Sequence, residues 1–348
     1  MPDLTSIAKK TVLTIKPYVP GKPIDEVKRE LGLKSVIKLA SNENPYPPSP
    51  KVLKAMERSL HSVNRYPNGD CHVLRLELSK FLNVKPEQLI FGNGSDELIV
   101  LAVRLFVREG DEVIIAKPSF LVYDIASKIA GAHIKSIPLQ NFHYDLDKMK
   151  KAITSKTRII FLGNPDNPAG TYLTQAAVEE FIRDIPKSVL VFFDEAYFEY
   201  VRANDYVDSL ALLARYPNIV VTRTFSKMYG LAGLRVGYGV CRAEVSDLFN
   251  RIREPFNVNS VAQAGAVACL KDQGYYRNVA RQVEGQREFL LQGLTRLNLK
   301  YQPSCTNFIL VDVKIDAKTM TQQLMQKGVI VRDMSVWGMK SYIRVSIG

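Results

Sequence analysis

Side chains capable of covalent and acid-base chemistry follow the short apolar runs of this 348-residue chain. Asp194 comes directly after the run Val189–Phe193, and Lys227 lies shortly after the next run along the chain. Asn167 belongs to the Gly-, Asn- and Pro-rich stretch that follows Arg158–Leu162. Because ligands of open parallel sheets bind beyond the carboxyl ends of the strands, we expect these side chains to share one crevice.

Each of these residues, taken alone, also has an ordinary structural explanation. A single Lys such as Lys227 is usually a solvated surface residue, and an Asn-Pro pair such as Asn167-Pro168 often starts a turn. Gly92-Asn93-Gly94 can be only a tight turn, since Glu97 replaces the third glycine of a dinucleotide fingerprint. Asp194 is harder to dismiss, because a carboxylate at the end of a buried strand needs a partner. Their joint occurrence therefore favours a ligand site.

Together these residues supply the groups needed to hold the ring of pyridoxal 5′-phosphate. The amine of Lys227 can form a Schiff base with its aldehyde. Asp194 beside the pyridine nitrogen would favour the protonated ring, which withdraws electrons from a bound substrate. Amide and phenol groups such as those of Asn167 and Tyr197 can donate hydrogen bonds to the 3-oxygen of the ring.

A helix start after Gly94 is predicted to receive the phosphate, because its first backbone N–H groups have no partner within the helix. Ser95 or Asp96 is expected to cap that helix, and Arg235 to add a bidentate guanidinium contact. Asp96 and Glu97 place two carboxylates near the phosphate. We therefore expect both side chains to turn away while their amides point inward.

The elements that position these residues follow a βαβ pattern from about residue 88. Short β-branched or aromatic runs alternate with polar breaks and with helical spacing, which predicts a largely parallel sheet. The predicted strands are Gln88–Phe91, Glu112–Ala116, Arg158–Leu162, Val189–Phe193 and Asn218–Thr222. The pattern indicates a large α/β domain.

Two proline-containing segments mark the predicted domain limits. Ser41–Pro50 contains four prolines and cannot be helix interior, and Glu254-Pro255 favours a second boundary. A long helix over Ser260–Leu297, broken near Gly274, and strands over Asn307–Val313 and Tyr342–Ile347 are predicted beyond it. We therefore predict a large α/β domain over residues 41–254 and a smaller α+β domain formed by residues 1–40 and 255–348.

Composition is that of a soluble globular protein, with 46% hydrophobic and 24% charged residues. The net charge of +12 raises the alternative of a basic, non-catalytic nucleic-acid-binding module. Lys and Arg are scattered, however, and no nucleic-acid-binding motif accompanies them, so we expect no nucleic-acid partner. Attraction for acidic, phosphorylated small molecules explains the charge equally well.

Cysteine spacing and hydropathy predict a cytoplasmic protein. The four cysteines lie far apart and form no C-x-x-C pair, so neither a metal site nor a disulfide framework is expected. We find no signal-peptide core and no apolar run long enough for a membrane span. No membrane association is therefore expected.

The sequence resembles the fold-type I aminotransferases, and among them the histidinol-phosphate aminotransferases. The motifs that carry this resemblance run nearly from end to end: Lys16-Pro17-Tyr18, Ser41-Asn42-Glu43-Asn44-Pro45, Arg65-Tyr66-Pro67, Thr224-Phe225-Ser226-Lys227, Gly233-Leu234-Arg235-Val236-Gly237-Tyr238 and Tyr342-Ile343-Arg344-Val345-Ser346-Ile347-Gly348. The resemblance implies a three-layer sandwich with a mostly parallel central sheet, and pyridoxal phosphate as the cofactor. It also implies transamination between histidinol phosphate and 2-oxoglutarate, which gives imidazole-acetol phosphate and glutamate in histidine biosynthesis.

The resemblance also assigns roles within the cofactor site. Lys227 corresponds to the Schiff-base lysine that also shuttles a proton, Asp194 to the partner of the ring nitrogen, and Asn167 and Tyr197 to the donors at the 3-oxygen. Phe120 takes the place of the ring-stacking aromatic, with Tyr123 as the rival. The residues that would hold the phosphate are Gly94, Ser95 and Asp96 by their amides, Ser226 and Arg235 by their side chains, and Tyr66 from the neighbouring subunit. A homodimer follows from the role of Tyr66.

Three further residues match the groups that meet the substrate in this family. Arg344 corresponds to the arginine that grips an α-carboxylate, and Arg332 and Tyr18 resemble the groups that contact the substrate phosphate. Arg332 has the alternative of covering the surface of the smaller domain, and the roles of Asn42 and Glu43 stay open. An aromatic-amino-acid aminotransferase and a threonine-phosphate decarboxylase are the alternatives on the same scaffold.

The sequence departs from the family pattern at two places. Ala169 replaces the usual Thr of the Asn-Pro-Thr-Gly segment, a change we expect to be tolerated because Asn167 and Gly170 carry the geometry. The chain ends at Gly348, where relatives continue with a further C-terminal helix. Truncation of the chain and an unusually short smaller domain are both compatible with that end.

Overall fold

Two β-sheets organise residues 4–17 and 21–348, which are the residues that the computed structural model describes. The strands are β1 (Ile37–Leu39), β2 (Leu89–Gly92), β3 (Glu112–Lys117), β4 (His133–Pro138), β5 (Thr157–Gly163), β6 (Leu190–Asp194), β7 (Ile219–Thr224), β8 (Gly237–Cys241), β9 (Lys300–Gln302), β10 (Phe308–Asp312), β11 (Val329–Asp333) and β12 (Tyr342–Ser346). The α-helices are α1 (Ile24–Leu31), α2 (Pro50–Leu60), α3 (His72–Leu82), α4 (Ser95–Phe106), α5 (Leu121–Ile129), α6 (Leu146–Lys151), α7 (Gln175–Arg183), α8 (Ser209–Leu212), α9 (Ala243–Ile252), α10 (Ser260–Lys271), α11 (Gln273–Arg296) and α12 (Ala317–Gln326). Short 3₁₀ helices cover Leu4–Ile7, Val12–Thr14, Pro86–Gln88, Phe198–Tyr200, Ala232–Leu234 and Ser335–Trp337.

The larger sheet has the strand order β2-β8-β7-β6-β5-β3-β4. β8 runs antiparallel to β2 and β7, and the other neighbouring strands are parallel. The mostly parallel sheet predicted from the sequence is therefore confirmed, and each of its five predicted strands is present within two residues of the expected bounds. The pattern missed β4, an edge strand of mixed polarity, and β8, in which two glycines weaken the strand signal.

Both faces of this sheet are covered. Along β5, Ile160 and Leu162 pack into one hydrophobic cluster, while Ile159 and Phe161 pack into a second cluster on the opposite face. Alternate side chains of a strand point to opposite faces, so a strand buried on both sides lies between two helical layers. Residues of α4, α5 and α9 fill the second cluster, and residues of α3, α7 and α10 join the first. This arrangement is the three-layer α/β fold expected from the sequence.

The smaller sheet has the strand order β1-β11-β12-β10-β9. The strands predicted over Asn307–Val313 and Tyr342–Ile347 are β10 and β12, whereas β1, β9 and β11 were not predicted. The strands of each sheet fall within the residue ranges predicted for the two domains. Because α10 packs against α2 and α3, the division at residue 254 stays a prediction.

The long helix predicted over Ser260–Leu297, with a break near Gly274, is two helices, α10 and α11. The break falls at Asp272, so the break predicted near Gly274 is confirmed. The carboxylate of Asp272 lies 3.0 Å from the Lys51 ammonium, and its backbone leaves helical geometry between the two elements. Among the described helices, none has the length and apolar character needed to cross a lipid bilayer.

Candidate active site

A cavity of about 440 Å³ lies where the carboxyl ends of the central strands meet the smaller sheet. Gly163, Asp194 and Thr224 end β5, β6 and β7 at its floor, and Arg344 reaches it from β12. A cavity of this size is typical of small-molecule sites. The structure thus brings together the strand-end residues that the sequence singled out.

Asp194 lies at the floor of the cavity, where 7% of its surface is exposed. Its Oδ2 accepts a 2.8 Å hydrogen bond from the Tyr123 hydroxyl, and its Oδ1 accepts one of 3.3 Å from the backbone N–H of Ala196. Burial raises the pKa of Asp194 to about 6, because desolvation penalises the charged carboxylate. A cation placed beside Asp194 would stabilise the charged carboxylate, and a protonated ring nitrogen supplies such a cation.

Lys227 follows β7, and its Nζ donates to the backbone oxygen of Ser41 at 3.4 Å. Burial lowers the pKa of this ammonium to about 8, and the positive charge of Arg344 acts in the same direction. The uncharged fraction of the amine near neutral pH is therefore far larger than that of an ordinary lysine, although the charged form still predominates. An uncharged amine is the form that attacks an aldehyde and accepts a proton.

Asn167 is held from the smaller sheet. Its Oδ1 accepts a hydrogen bond from Nη1 of Arg344, and because a guanidinium only donates, the Asn167 amide nitrogen must point the other way. The Asn167 loop is fixed by its backbone, since the N–H of Ala169 donates to Asp166 Oδ2 at 3.0 Å. The side chain at position 169 is not part of this contact.

Tyr197 is 4% exposed, and its hydroxyl oxygen accepts a 2.9 Å hydrogen bond from Nδ2 of Asn42. Burial raises the pKa of the Tyr197 hydroxyl to about 12, so the group keeps its proton at neutral pH. The ring of Tyr197 lies 5.8 Å from Lys227 Nζ. Tyr197 and Asn167 thus both reach the cavity as hydrogen-bond donors.

The two aromatic candidates for ring stacking occupy different positions. Tyr123 is 1% exposed, its ring stacks on Phe161 with centroids 4.6 Å apart, and its hydroxyl is engaged by Asp194. Phe120 is partly exposed, lines the cavity and meets Tyr123 edge-on. The geometry therefore favours Phe120 over Tyr123 for stacking on a ligand, because the Tyr123 ring and hydroxyl are already engaged by Phe161 and Asp194.

The opposite end of the cavity is built from the start of α4 and the segment between β7 and β8. Gly94 precedes α4 with φ of +83°, and a Cβ at this position would collide with the guanidinium of Arg235. Nη1 of Arg235 lies 3.4 Å from the Ser226 hydroxyl. Glycine thus lets a guanidinium, a hydroxyl and the first N–H groups of a helix converge, which fits a phosphate group.

Two expectations about this helix start were wrong. Neither Ser95 nor Asp96 caps α4: the helix begins at Ser95, Gly94 occupies the N-cap, and no side chain caps it. Glu97 does turn away, since its Oε2 accepts from the Asn93 N–H at 2.6 Å, but Asp96 does not. Asp96 lines the cavity and lies 3.2 Å from Arg235, because the guanidinium attracts the nearest carboxylate.

Three predicted residues do not line this cavity or fall outside the described part of the chain. Tyr66 is 82% exposed and stacks on Phe256 with ring centroids 4.7 Å apart. Arg332 lies beside Arg344 in register on β11, and its guanidinium lies 5.3 Å from the ring centre of Trp337. Tyr18 falls outside the described residues.

Trp337 and Ser41 are among the cavity-lining residues to which sequence reasoning assigned no role. Trp337 lies five residues after Arg332, and its Nε1 donates to the backbone oxygen of Ser119 at 2.8 Å. As the single tryptophan of the chain it carried a compositional signal, but no spacing pattern pointed to it. Within the described part of the chain, no group of three or more His, Cys, Asp or Glu side chains could hold a metal ion.

Comparison with known proteins identifies the family. The family model described as aminotransferase class I and II matches residues 34–348. The chain belongs to this family. Pyridoxal 5′-phosphate is therefore the cofactor of this aminotransferase, and the residues around the cavity fit its aldehyde, ring and phosphate.

Curated relatives and solved structures agree with this membership. The aminotransferase is 47% identical to the histidinol-phosphate aminotransferase of Moorella thermoacetica, over 98% of this chain and 88% of the relative. It is 46% identical to that of Methylobacillus flagellatus, over 100% and 95% of the two chains. The crystal structure of histidinol-phosphate aminotransferase from Sinorhizobium meliloti in complex with pyridoxal-5′-phosphate matches with a TM-score of 0.91 and 28% identity, over 98% of this chain and 93% of that one.

Proposed function

We propose that this aminotransferase catalyses the reversible transfer of an amino group between histidinol phosphate and 2-oxoglutarate, giving imidazole-acetol phosphate and glutamate. The observation that carries the proposal is the pair of relatives at 46% and 47% identity, which are named histidinol-phosphate aminotransferases and match nearly the whole chain. The pairing of Arg332 with Arg344 supports it. Partners on neighbouring antiparallel strands point their side chains to one face, so both arginines project from the same face of the smaller sheet.

Such a pair of arginines addresses the difficulty that one site must accept two different anions. Arg344 would bind the α-carboxylate of 2-oxoglutarate or glutamate, which histidinol phosphate lacks. Arg332 would meet either the substrate phosphate or the second carboxylate, because a guanidinium offers bidentate donors to both. Asn167 Oδ1 and the backbone oxygen of Ala40 accept hydrogen bonds from the Arg344 guanidinium.

Each of the cofactor-site residues would contact a different part of pyridoxal phosphate. Asp194 would hold the ring nitrogen in its protonated form, Phe120 would cover the ring face, and Asn167 and Tyr197 would donate to the 3-oxygen. The groups that would hold the phosphate are the N–H groups of Gly94, Ser95 and Asp96 and the side chains of Ser226 and Arg235. When bound, pyridoxal phosphate supplies an electron-withdrawing ring that stabilises negative charge at the neighbouring substrate carbon.

Lys227 would carry the proton in this reaction. The uncharged form of Lys227 Nζ would accept the proton of the substrate carbon next to the ring, and burial lowers the pKa of this amine to about 8, which increases its uncharged fraction. Nζ would then return that proton on the cofactor side, after which a water molecule must release the carbonyl product before the amino group has been transferred. Burial thus gives one side chain the roles of base and acid in turn.

We further propose a homodimer in which Tyr66 reaches the phosphate of the neighbouring subunit. Its 82% exposure leaves the side chain available, and the flanking helices α2 and α3 also expose apolar residues, including Leu53, Leu60 and Val73. Sedimentation equilibrium tests the assembly. A monomer that retains full activity at nanomolar concentration would contradict this role of Tyr66.

We infer a cytoplasmic location, because the four cysteines are all free, as expected in a reducing compartment. Fractionation of cells followed by immunoblotting tests this inference.

The decisive experiment on substrate is a half-reaction. Purified holoenzyme is mixed in turn with histidinol phosphate, phenylalanine and threonine phosphate, and conversion of the cofactor to its amine form is followed by absorbance. Rapid conversion by histidinol phosphate alone supports the proposal. Faster conversion by phenylalanine, or release of carbon dioxide from threonine phosphate, would replace it with the corresponding alternative.

A further inference from the structure

Three consecutive residues near the start of the chain each hydrogen-bond a different residue of the active site. The backbone oxygen of Ala40 accepts from Arg344 Nη2 at 3.3 Å, and that of Ser41 accepts from Lys227 Nζ at 3.4 Å. Asn42 donates from Nδ2 to the hydroxyl oxygen of Tyr197 at 2.9 Å. This segment, Ala40–Asn42, therefore contacts the candidate groups for carboxylate binding, proton transfer and the 3-oxygen together.

Asn42 is fixed in place from the smaller sheet. It is 1% exposed and has φ of +54°, and its backbone oxygen accepts from Asn307 Nδ2 at 3.0 Å. The Ser346 hydroxyl on β12 accepts from the Asn42 backbone N–H at 2.8 Å and lies 3.2 Å from Asn42 Oδ1. A hydroxyl has one proton to donate, so Ser346 gives it to Oδ1. The amide nitrogen of Asn42 must then face Tyr197.

This orientation decides where the proton of Tyr197 goes. One lone pair of the phenol oxygen accepts the amide hydrogen of Asn42, so the phenol proton cannot point at Asn42. Tyr197 lines the cavity, and its own proton is left for a group inside it. Accepting one hydrogen bond also polarises a hydroxyl and strengthens the bond that it donates.

We propose that Asn42 is a positioning residue that makes Tyr197 a donor toward the 3-oxygen of the cofactor, with Ser346 fixing the direction of the Asn42 amide. The inference rests on the role of Tyr197 in the proposed function. It assigns a task to Asn42, whose role the sequence left open. It also links the smaller sheet to the electronic state of the cofactor through a single side chain.

The test variant is Asn42→Asp, which changes the hydrogen-bonding character at nearly constant volume. A carboxylate only accepts, so it would take the Tyr197 proton for itself while keeping the bond from Ser346. Asp also tolerates positive φ nearly as well as Asn. We expect the affinity of the apoprotein for pyridoxal phosphate to fall about tenfold, the size of one lost hydrogen bond. The fluorescence of Trp337, the single tryptophan, reports this binding from within the cavity.

A second readout is the pH at which the bound cofactor changes colour. A donor at the 3-oxygen competes for the proton that this oxygen shares with the neighbouring imine nitrogen, and so lowers the pH of the change. Asn42→Asp should therefore raise the midpoint by about one pH unit, the equivalent of a tenfold change. Ser346→Ala releases the amide and should move the midpoint in the same direction by less.

A double-mutant cycle separates positioning from structural support. In a Tyr197→Phe background no phenol proton remains. Adding Asn42→Asp should then change cofactor affinity by less than about twofold, and should move the pH midpoint of the colour change by less than about 0.3 units. If Asn42→Asp has the same effect in both backgrounds, the inference is wrong and Asn42 serves only the backbone. Asn83→Asp is the matched control, since Asn83 has the same φ of +54° and is exposed far from the cavity.

The outcomes also distinguish this inference from the proposed function. If wild-type protein stays colourless with pyridoxal phosphate, or if Tyr197→Phe has no effect on the midpoint, the cofactor assignments themselves fail. If Tyr197→Phe shifts the midpoint and both Asn42→Asp and Ser346→Ala leave it unchanged, only the role of Asn42 is refuted. Thermal unfolding of each variant identifies any that does not fold, in which case Ser346→Ala decides.

Discussion

The two ends of the cavity are organised in different ways. At the ring end, Asp194 and Tyr197 are almost fully buried, and the partners Tyr123 and Asn42 hold them by hydrogen bonds of 2.8 and 2.9 Å. At the phosphate end, Arg235 and Asp96 pair across 3.2 Å with 42% and 48% of their side chains exposed. The ring end is therefore preorganised by buried hydrogen bonds, whereas the phosphate end depends on charged side chains that remain in contact with water.

This difference implies different energetic consequences. Removing one partner from a buried hydrogen-bonded group leaves the other unsatisfied, which is costly, whereas exposed ion pairs contribute roughly 0 to 1 kcal/mol and are screened by salt. We therefore expect substitutions at the ring end to affect chemistry strongly and those at the phosphate end to affect cofactor retention moderately.

The largest expected effect is that of Lys227→Ala. Removing the amine eliminates covalent attachment and proton transfer, so the rate of transamination should fall at least about 10³-fold. Borohydride treatment followed by mass spectrometry should detect the cofactor on Lys227 in the wild type and not in the variant. Lys80→Ala, at an exposed position in α3, is the matched control. Retention of a borohydride-fixed cofactor in Lys227→Ala would place the Schiff base on another lysine.

Asp194→Asn should reduce the rate by about two to three orders of magnitude, because a neutral amide cannot stabilise a protonated ring nitrogen. The pKa of Asp194 is raised to about 6, so the carboxylate is lost as pH falls through that value. Cofactor affinity of the wild type should thus decline below about pH 6. Titrations of both proteins with pyridoxal phosphate measure the difference, and an equal decline in Asp194→Asn would show that the carboxylate is not its cause.

Arg235→Gln should weaken binding of pyridoxal phosphate by about tenfold to a hundredfold, the range expected for a lost charge-assisted hydrogen bond. Binding of pyridoxal, which lacks the phosphate, should not change. Comparing the two ligands by Trp337 fluorescence checks both statements, with Arg296→Gln, at the end of α11, as the control. Equal weakening for both ligands would mean that Arg235 supports the fold rather than the phosphate.

The smallest effect is expected for Asp96→Asn, and its sign is opposite. The variant keeps the backbone N–H but removes the carboxylate that competes for Arg235, so affinity for pyridoxal phosphate should rise less than about fivefold. Isothermal titration at low and high salt measures this gain, which should shrink with added salt. A loss of affinity would show that Asp96 helps the ligand directly.

The sequence predicted the ring end better than the phosphate end, for a physical reason. Asp194 and Lys227 follow buried parallel strands, and parallel strands deliver their carboxyl ends to one edge whatever the details of the loops. The direction of the Asp96 side chain depends instead on the position of Arg235, 139 residues away. Local propensity favoured a capped helix at Ser95, but the structure leaves its first N–H groups without a side-chain cap, where a ligand can use them.

Local sequence patterns could not predict the contacts that Asn42 makes. Its partners Tyr197, Asn307 and Ser346 lie 155, 265 and 304 residues away along the chain. No spacing rule connects positions so distant, and the contact arises only when β12 and β10 of the smaller sheet meet the segment before α2. The strands β4 and β8 escaped prediction for the local reason that their composition is a poor match to a buried strand.

The antiparallel course of β8 has a consequence for the length of ligand that the enzyme can hold. Because Thr224 at the end of β7 pairs with Gly237 at the start of β8, the twelve residues between them form a loop whose two ends are held together by the sheet. Lys227 and Arg235, which would grip opposite ends of the cofactor, both lie on it. The distance between Lys227 and Arg235 is thus set by a short covalent loop and does not depend on how the two sheets move relative to each other. Rearrangement of the smaller sheet around a substrate can leave the distance between Lys227 and Arg235 unchanged, whereas a single residue inserted into this loop would alter it.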